Sequence, residues 1–450
     1  MKKLLCLLFA LLLCFSLCAC GGGGNSAISS SSKQEEVVNP GYLKGVGEPF
    51  ATSTIKGFNY NVASELLGAL GSKTFRMWLS DNVLYPGYSN TTVYSDEQLA
   101  QISMAGKLQI GQYIDALKEN GIEEIVGLGC FLPKVESTAK FSYANNYVPE
   151  ISTEEGSDYH KFLNKVYVIY KAVSAAFPQI TVWEMGNETN QNAFMGTPNK
   201  ELTQEELAYI NVDYMYYATK GVKEGNPNAI TIPAGFAPIE EGMPSIARFY
   251  EKIYANIKGG NFPSFAEKTT ATSDYFQGLC WHAYDIKNGL VTNSSIENKD
   301  LDEWKAQNDM IYNVAVKNGD AHLKAWITEF GFTLSQNQLR VTTAEDTSVT
   351  RYKLSDTYYD LVDVFEQYQA DYTKAYFKKL EEMDYVNSVH FFRLFCSEQG
   401  MHWNGFGEVY FGLFLEPDET VGRGFYPRKK AYAVQEVFGG TGDITKYAAM

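Results

Sequence analysis

Cysteines able to staple the fold are scarce. Of the seven in the chain, Cys6, Cys14, Cys18 and Cys20 fall in the first twenty positions, which leaves Cys130, Cys280 and Cys396. Three thiols far apart, with no CxxC pair, argue against a disulfide framework and against a cysteine-based zinc site. Histidine is nearly as rare at five, and His160, His322 and His390 do not cluster with Asp or Glu at metal-ligand spacing, so no metal site is expected. Positive charge is also short: 38 Lys and Arg face 53 Asp and Glu, a formal net charge of −15. That balance disfavours nucleic acid or an anionic membrane surface as a main partner and suits a neutral ligand. No fixed-length internal repeat is visible, which excludes a solenoid or propeller.

What is present suits a globular protein with a large core: 45% apolar and 20% charged residues over 450 positions. That length holds two ordinary domains or one large α/β barrel. The N-terminus, "MKKLLCLLFALLLCFSLCAC", has a basic start, an apolar run short for a spanning helix, and small residues after it. It reads as a secretory signal. "LCAC", Leu17 to Cys20, resembles the lipobox of bacterial lipoproteins, which implies a signal peptide over 1–19, cleavage before Cys20 and acylation of its sulfur. The expected location is the outer face of a bacterial membrane, with membrane contact only through that lipid. Residues 20–49 include "GGGGNSAISSSSKQEE", too rich in Gly and Ser to pack. A flexible tether of roughly 25 residues reaches about 25–30 Å.

From residue 50 to 450 strand-like runs alternate with helix-like or loop segments. The runs are 54–60, 74–80, 124–130, 180–187, 229–236, 275–284, 324–332 and 386–395, eight in all. Amphipathic helices fall between them; "TQEELAYINVDYMYYATKGVKEG" opens with Thr203 as a cap and a Glu three positions on. This alternation predicts one (β/α)₈ TIM-barrel domain. Such barrels build their sites at the C-terminal strand ends. The polar groups there are Arg76 and Ser80 on the second run, Asn187 and Glu188 on the fourth, His282 and Tyr284 on the sixth, and Glu329 on the seventh. Strand parity places Gly278, Cys280, His282 and Tyr284 on one inward face, and Ala325, Ile327 and Glu329 on another. A carboxylate closing a buried strand, as in "VWEMGNE", either caps the next helix or serves chemistry.

"VWEMGNE" on the fourth run, "WHAY" on the sixth and "WITEFG" on the seventh resemble glycoside hydrolases of clan A, of the family 5 or family 39 kind. The resemblance covers most of residues 50 to 440 and includes "GLFLEPDETVGRGFYPRKKAYAVQEVF" near the end. It implies a retaining β-glycosidase, endo- or exo-acting, on a β-linked glycan of the mannan, glucan or xylan class. Glu188 would be the acid/base and Glu329 the nucleophile, held about 5–5.5 Å apart, with no cofactor and a monomeric chain. Arg76 and Tyr284 would keep Glu329 ionised, His282 would sit nearer Glu188, and Asn187 would bond the sugar 2-hydroxyl. Trp403 in "GMHWNG" is a candidate sugar platform or a cover for the barrel mouth. Two positions depart from the clan pattern. Strand eight offers Phe395 or Arg393 where many members have a Trp, and strand three ends at Cys130 where some have a His. A non-catalytic glycan-binding barrel, or a solute-capturing lipoprotein with two hinged lobes, is the alternative.

Overall fold

The structure is a computed structural model that describes residues 41–48, 59–79, 81–85, 87, 91–141, 146–284, 296–334, 338–343, 346–354, 357–396, 402–403 and 406–449. The expected signal peptide, Cys20 and Ser80 lie outside the described residues. Eight parallel strands form the body: β1 (Leu43–Glu48), β2 (Thr74–Trp78), β3 (Glu124–Leu128), β4 (Val182–Asn187), β5 (Ile230–Gly235), β6 (Leu279–His282), β7 (Ala325–Phe330) and β8 (Val386–Phe392). Their order is β5-β4-β3-β2-β1-β8-β7-β6. A bridge from Phe236 to Trp281 nearly closes the ring, as do hydrogen bonds from Gln277 N to Thr231 O (2.8 Å) and from His282 N to Phe236 O (3.0 Å).

A helix follows each strand: α1 (Tyr60–Leu70), α2 (Met104–Glu119), α3 (Asp158–Ala176), α4 (Gln204–Gly225), α5 (Pro244–Lys258), α6 (Asn298–Lys317), α7 (Asp363–Leu380) and α8 (Lys429–Phe438). The chain is therefore a (β/α)₈ TIM barrel. Local signals place the helix starts. Thr203 and Glu206 form the expected capping box on α4, and Ser157 caps α3.

The first strand differs from expectation. The stretch 54–60 is not β1: Tyr60 opens α1 with Asn59 as its cap, and 54–58 lie outside the described residues. β1 is "LKGVGE", inside the segment read as tether. Two glycines and a single β-branched residue hide its strand character. Gly45 is required by the barrel interior, since a Cβ there would lie 1.9 Å from the Thr74 carbonyl oxygen.

Inward rows are visible from two separate apolar clusters. Val126, Val182, Ile232, Cys280 and Trp326 fill the barrel axis. Phe75, Ile125, Trp183, Trp281, Ala325, Ile327 and Phe391 belong to the core between the strands and the helices. This corrects the expected parity of β7, because Ala325 and Ile327 face outward while Trp326 faces the axis. Glu329 reaches the mouth by a β-bulge. β6 pairs Trp281 with Ile327 but His282 with Glu329, and β8 pairs Val389 with Ile327 but Phe391 with Phe330. Each neighbour thus sees one extra residue on β7, so Thr328 and Glu329 are consecutive and both contact interior groups.

The loop after β7 carries an antiparallel sheet of Leu339–Thr342, Arg351–Leu354 and Thr357–Leu361 that the strand count did not foresee.

Candidate active site

Arg76 organises the mouth of the barrel. It stands in the inward row of β2 and is only 2% exposed. A guanidinium there must be matched, and it is. Nε donates to Glu184 Oε2 at 2.6 Å and Nη2 to Glu184 Oε1 at 2.9 Å, the same Nη2 reaches Asn187 Oδ1 at 2.8 Å, and Nη1 donates to Glu329 Oε1 at 2.5 Å. Its pKa is raised above the usual value: burial works against the charge, and the two carboxylates more than offset it.

Glu184 was missed by the sequence reading. It is 0% exposed on β4 and also accepts from Gly235 N (3.0 Å) and Thr328 Oγ1 (3.0 Å). A lone Glu inside the apolar run "VWEMGN" was the available signal, since a buried carboxylate needs a cation.

The two predicted catalytic carboxylates sit above this pair. Glu329, 7% exposed, accepts from Arg76 and also from the Tyr284 hydroxyl at 2.9 Å. Burial alone would push its carboxyl up, but the charges of His282 and Arg76, with hydrogen bonds from Tyr284 and Arg76, hold it below the ordinary carboxylate range. Glu188 is half-buried at the end of β4, with Oε1 2.8 Å from His282 Nδ1 and Oε2 accepting from Gln191 Nε2 at 3.1 Å. The same His282 Nδ1 lies 3.5 Å from Glu329 Oε2, so His282 is nearer Glu188, as expected. One oxygen each from Glu188 and Glu329, with a ring nitrogen of His282, fall within 4.8 Å of one another. That set could grasp a cation, but a divalent ion there would meet the Arg76 charge on Glu329.

Backbone geometry aims these groups. Gly186 has φ +104° and Glu188 φ +49°, both in the left-handed region, so the chain leaves the regular pleat where the site begins. Glu188 does not cap the next helix: α4 starts sixteen positions on with Thr203 as its cap.

Strand eight corrects the expectation for its end. Arg393 and Phe395 are both fully buried, and the inward row of Ser388 and His390 ends instead at Phe392. Phe392 meets Phe411 edge-on at 5.4 Å, and Phe411 meets Tyr284 at 5.6 Å. Cys130 is half-buried beside the mouth. Trp403 lies in a two-residue strand paired with Phe406–Gly407, and its side chain is outside the described residues.

The sequence matches no protein-family model and no curated protein. Its fold is similar to solved structures of low identity. A family 39 glycoside hydrolase from Bacteroides cellulosilyticus is 17% identical with a TM-score of 0.51, over 88% of this chain and 63% of that one. A glucosidase from Croceicoccus marinus is 14% identical with a TM-score of 0.52, over 90% and 69%. A GH5_18 protein from Streptomyces cattleya, in complex with Man-β1,4-GlcNAc, is 14% identical with a TM-score of 0.51, over 88% and 80%. At these identities the likeness carries the barrel fold.

Proposed function

We propose that this protein is a retaining β-glycosidase that hydrolyses O-glycosidic bonds of a β-linked glycan of the mannan, glucan or xylan class. The observation that carries the reading is the pair of carboxylates on β4 and β7 with oxygens within 4.8 Å of each other. That spacing suits the about 5–5.5 Å of retaining enzymes and not the about 6.5–9.5 Å of inverting ones.

The two acids stand in different environments, as double displacement needs. Glu329, kept ionised by Arg76 and Tyr284, attacks the anomeric carbon while Glu188 gives a proton to the departing glycosidic oxygen. A covalent glycosyl ester on Glu329 results. Glu188, now a carboxylate, takes a proton from water as that water attacks the anomeric carbon, which frees Glu329 and restores the acid. His282 orients Glu188 through the 2.8 Å contact. Asn187, its Oδ1 fixed by Arg76, keeps its amide hydrogens for the sugar 2-hydroxyl. The similar folds support this reading, one of them holding a β-linked disaccharide.

The test is hydrolysis across a panel of β-mannans, glucans and xylans, with product configuration followed by NMR. Glu329→Ala should abolish turnover, and Glu188→Ala should spare substrates with good leaving groups, which depart without a proton. Inverted product would reject the assigned roles, and so would full activity in Glu329→Ala. Export and anchoring through Cys20 are part of the proposal, and they suit a polymeric substrate outside the cell. Cys20→Ala should move the protein from the membrane to the soluble fraction, and unchanged membrane association would count against the anchor.

A further inference from the structure

A second buried polar cluster lies between the helices that follow β7 and β8. Arg428, the residue before α8, donates from Nε to both Glu366 oxygens at 3.2 Å and from Nη2 to Gln369 Oε1 at 2.5 Å; Glu366 and Gln369 stand on α7. Lys430 follows on the first turn of α8, and all four side chains are buried. Burial and the neighbouring Arg428 charge push the Lys430 amine well below its usual range, so it needs no carboxylate of its own.

A buried ion pair holds helices together no better than apolar packing of the same volume, so cohesion is a weak account of these groups. What they add is a grip on main-chain carbonyls. Arg428 Nη1 donates to Tyr410 O at 2.6 Å and to Gly412 O at 3.0 Å, the carbonyls of the residues on either side of Phe411. Lys430 Nζ donates to the same Tyr410 O at 2.7 Å and to Phe332 O at 3.2 Å, and Gln369 Nε2 adds a bond to Phe332 O at 2.8 Å. Phe332 lies three residues past Glu329. One cluster therefore fixes two segments, the one that follows Glu329 and the one that carries Phe411.

Phe411 meets Tyr284 edge-on at 5.6 Å, a pairing that sets a ring's angle as well as its place. Gly331 leaves room for it, since a Cβ there would lie 3.3 Å from the Phe411 ring and 2.4 Å from Phe392 O. The Tyr284 hydroxyl in turn donates to Glu329 Oε2 at 2.9 Å. We propose that Arg428 and Lys430 are positioning residues of the active site: by holding the chain on both sides of Phe411 they seat its ring against Tyr284, and so keep the Tyr284 hydroxyl on Glu329. The proposal rests on the glycosidase reading and adds to it residues that touch no substrate.

Three variants test it. Phe411→Leu removes the ring and keeps apolar volume. Lys430→Met removes two donors and leaves no carboxylate unpaired, since Arg428 still faces Glu366. Arg428→Gln combined with Glu366→Gln removes the ion pair whole. In each, kcat/KM for the glycan that the wild type prefers should fall about tenfold or more, the worth of one hydrogen bond to a charged group. The acid limb of its pH profile should move up toward that of Tyr284→Phe. Arg76 from β2, His282 from β6 and Glu188 from β4 also face Glu329, and none is altered, so a moved limb reports Tyr284. Added to Tyr284→Phe, the same changes should move the limb no further.

Near-ultraviolet circular dichroism confirms the fold, and Phe411→Leu, which leaves the polar cluster intact, serves if the other variants do not fold. A slower enzyme with an unmoved limb, or a shift that adds in full to that of Tyr284→Phe, would show a merely structural role and overturn the proposal. Carboxyl-carbon NMR titration of Glu329, assigned through Glu329→Gln, needs no turnover. If the wild type hydrolyses nothing while Phe411→Leu still raises that titration, the glycosidase reading falls and the positioning stands. An unmoved titration in the folded variant overturns the positioning.

Discussion

Replacing Arg76 by Met tests the charge arrangement at the barrel mouth. The variant keeps most of the side-chain volume and removes every donor to Glu184, Glu329 and Asn187. Two carboxylates, 0% and 7% exposed, lose their shared cation. Breaking a buried pair from one side costs about 3–5 kcal/mol because the remaining charge stays desolvated. On a chain of this length that is a drop of roughly 3–6 °C in Tm.

The pH dependence gives the sharper check. In the wild type the folded Glu329 carboxyl lies below its unfolded value of about 4.3, so it contributes stability above that pH and loses it as pH falls through the lower folded value. Without Arg76, burial, already the largest single influence on this carboxyl, drives the folded value up against the His282 charge and the Tyr284 hydrogen bond that remain. The variant then recovers stability relative to the wild type on acidification, as the buried Glu329 carboxyl takes up a proton. The gap between wild type and Arg76→Met should be widest near pH 7–8 and should narrow toward pH 5. Urea denaturation followed by tryptophan fluorescence at a series of pH values reads this directly. A loss under about 1 kcal/mol at neutral pH, or a gap that ignores pH, would refute the claim that Arg76 neutralises the site.

Three further outcomes follow from single residues. Glu188 holds φ +49°, a conformation costing an ordinary side chain about 1 kcal/mol, so Glu188→Gly should unfold above Glu188→Ala by about that amount in calorimetry. Because Tyr284 donates to Glu329, Tyr284→Phe should move the acid limb of the kcat/KM profile upward; an unmoved limb would mean the hydroxyl does not stabilise the carboxylate. His390 is fully buried on β8, and burial, with the Arg76 charge, pushes its pKa down to about 3. The unfolded histidine protonates near 6.5, so the wild type loses stability as pH falls from about 6.5 toward 3, and His390→Gln should flatten that slope by up to about 1.4 kcal/mol per pH unit.

The polar residues at the strand ends were legible because a barrel dictates where to look. Arg76, Asn187, Glu188, His282, Tyr284 and Glu329 do converge, and Arg76 and Tyr284 both donate to Glu329 as expected. β1 was not legible, since glycines at Gly45, where the neighbouring backbone comes close, and at Gly47 carry no hydrophobic signature. Glu184 escaped notice because strand-end reasoning looks at last residues, and this carboxylate works three positions before Asn187, the last residue of β4. The parity of β7 misled for a different cause: alternation assumes an even ladder, and neither neighbour of β7 sees one. Phe392 was passed over in favour of Arg393 and Phe395 because the end of β8 was placed three residues late.

The irregular stave also bears on engineering. Anyone transplanting this chemistry to an idealised cylinder would copy the side chains and keep the rungs uniform, and the acidic group from β7 would then project among the surrounding helices. The kink must travel with the letter. What looks like a defect in the weave is what brings the Glu329 carboxylate over the bore.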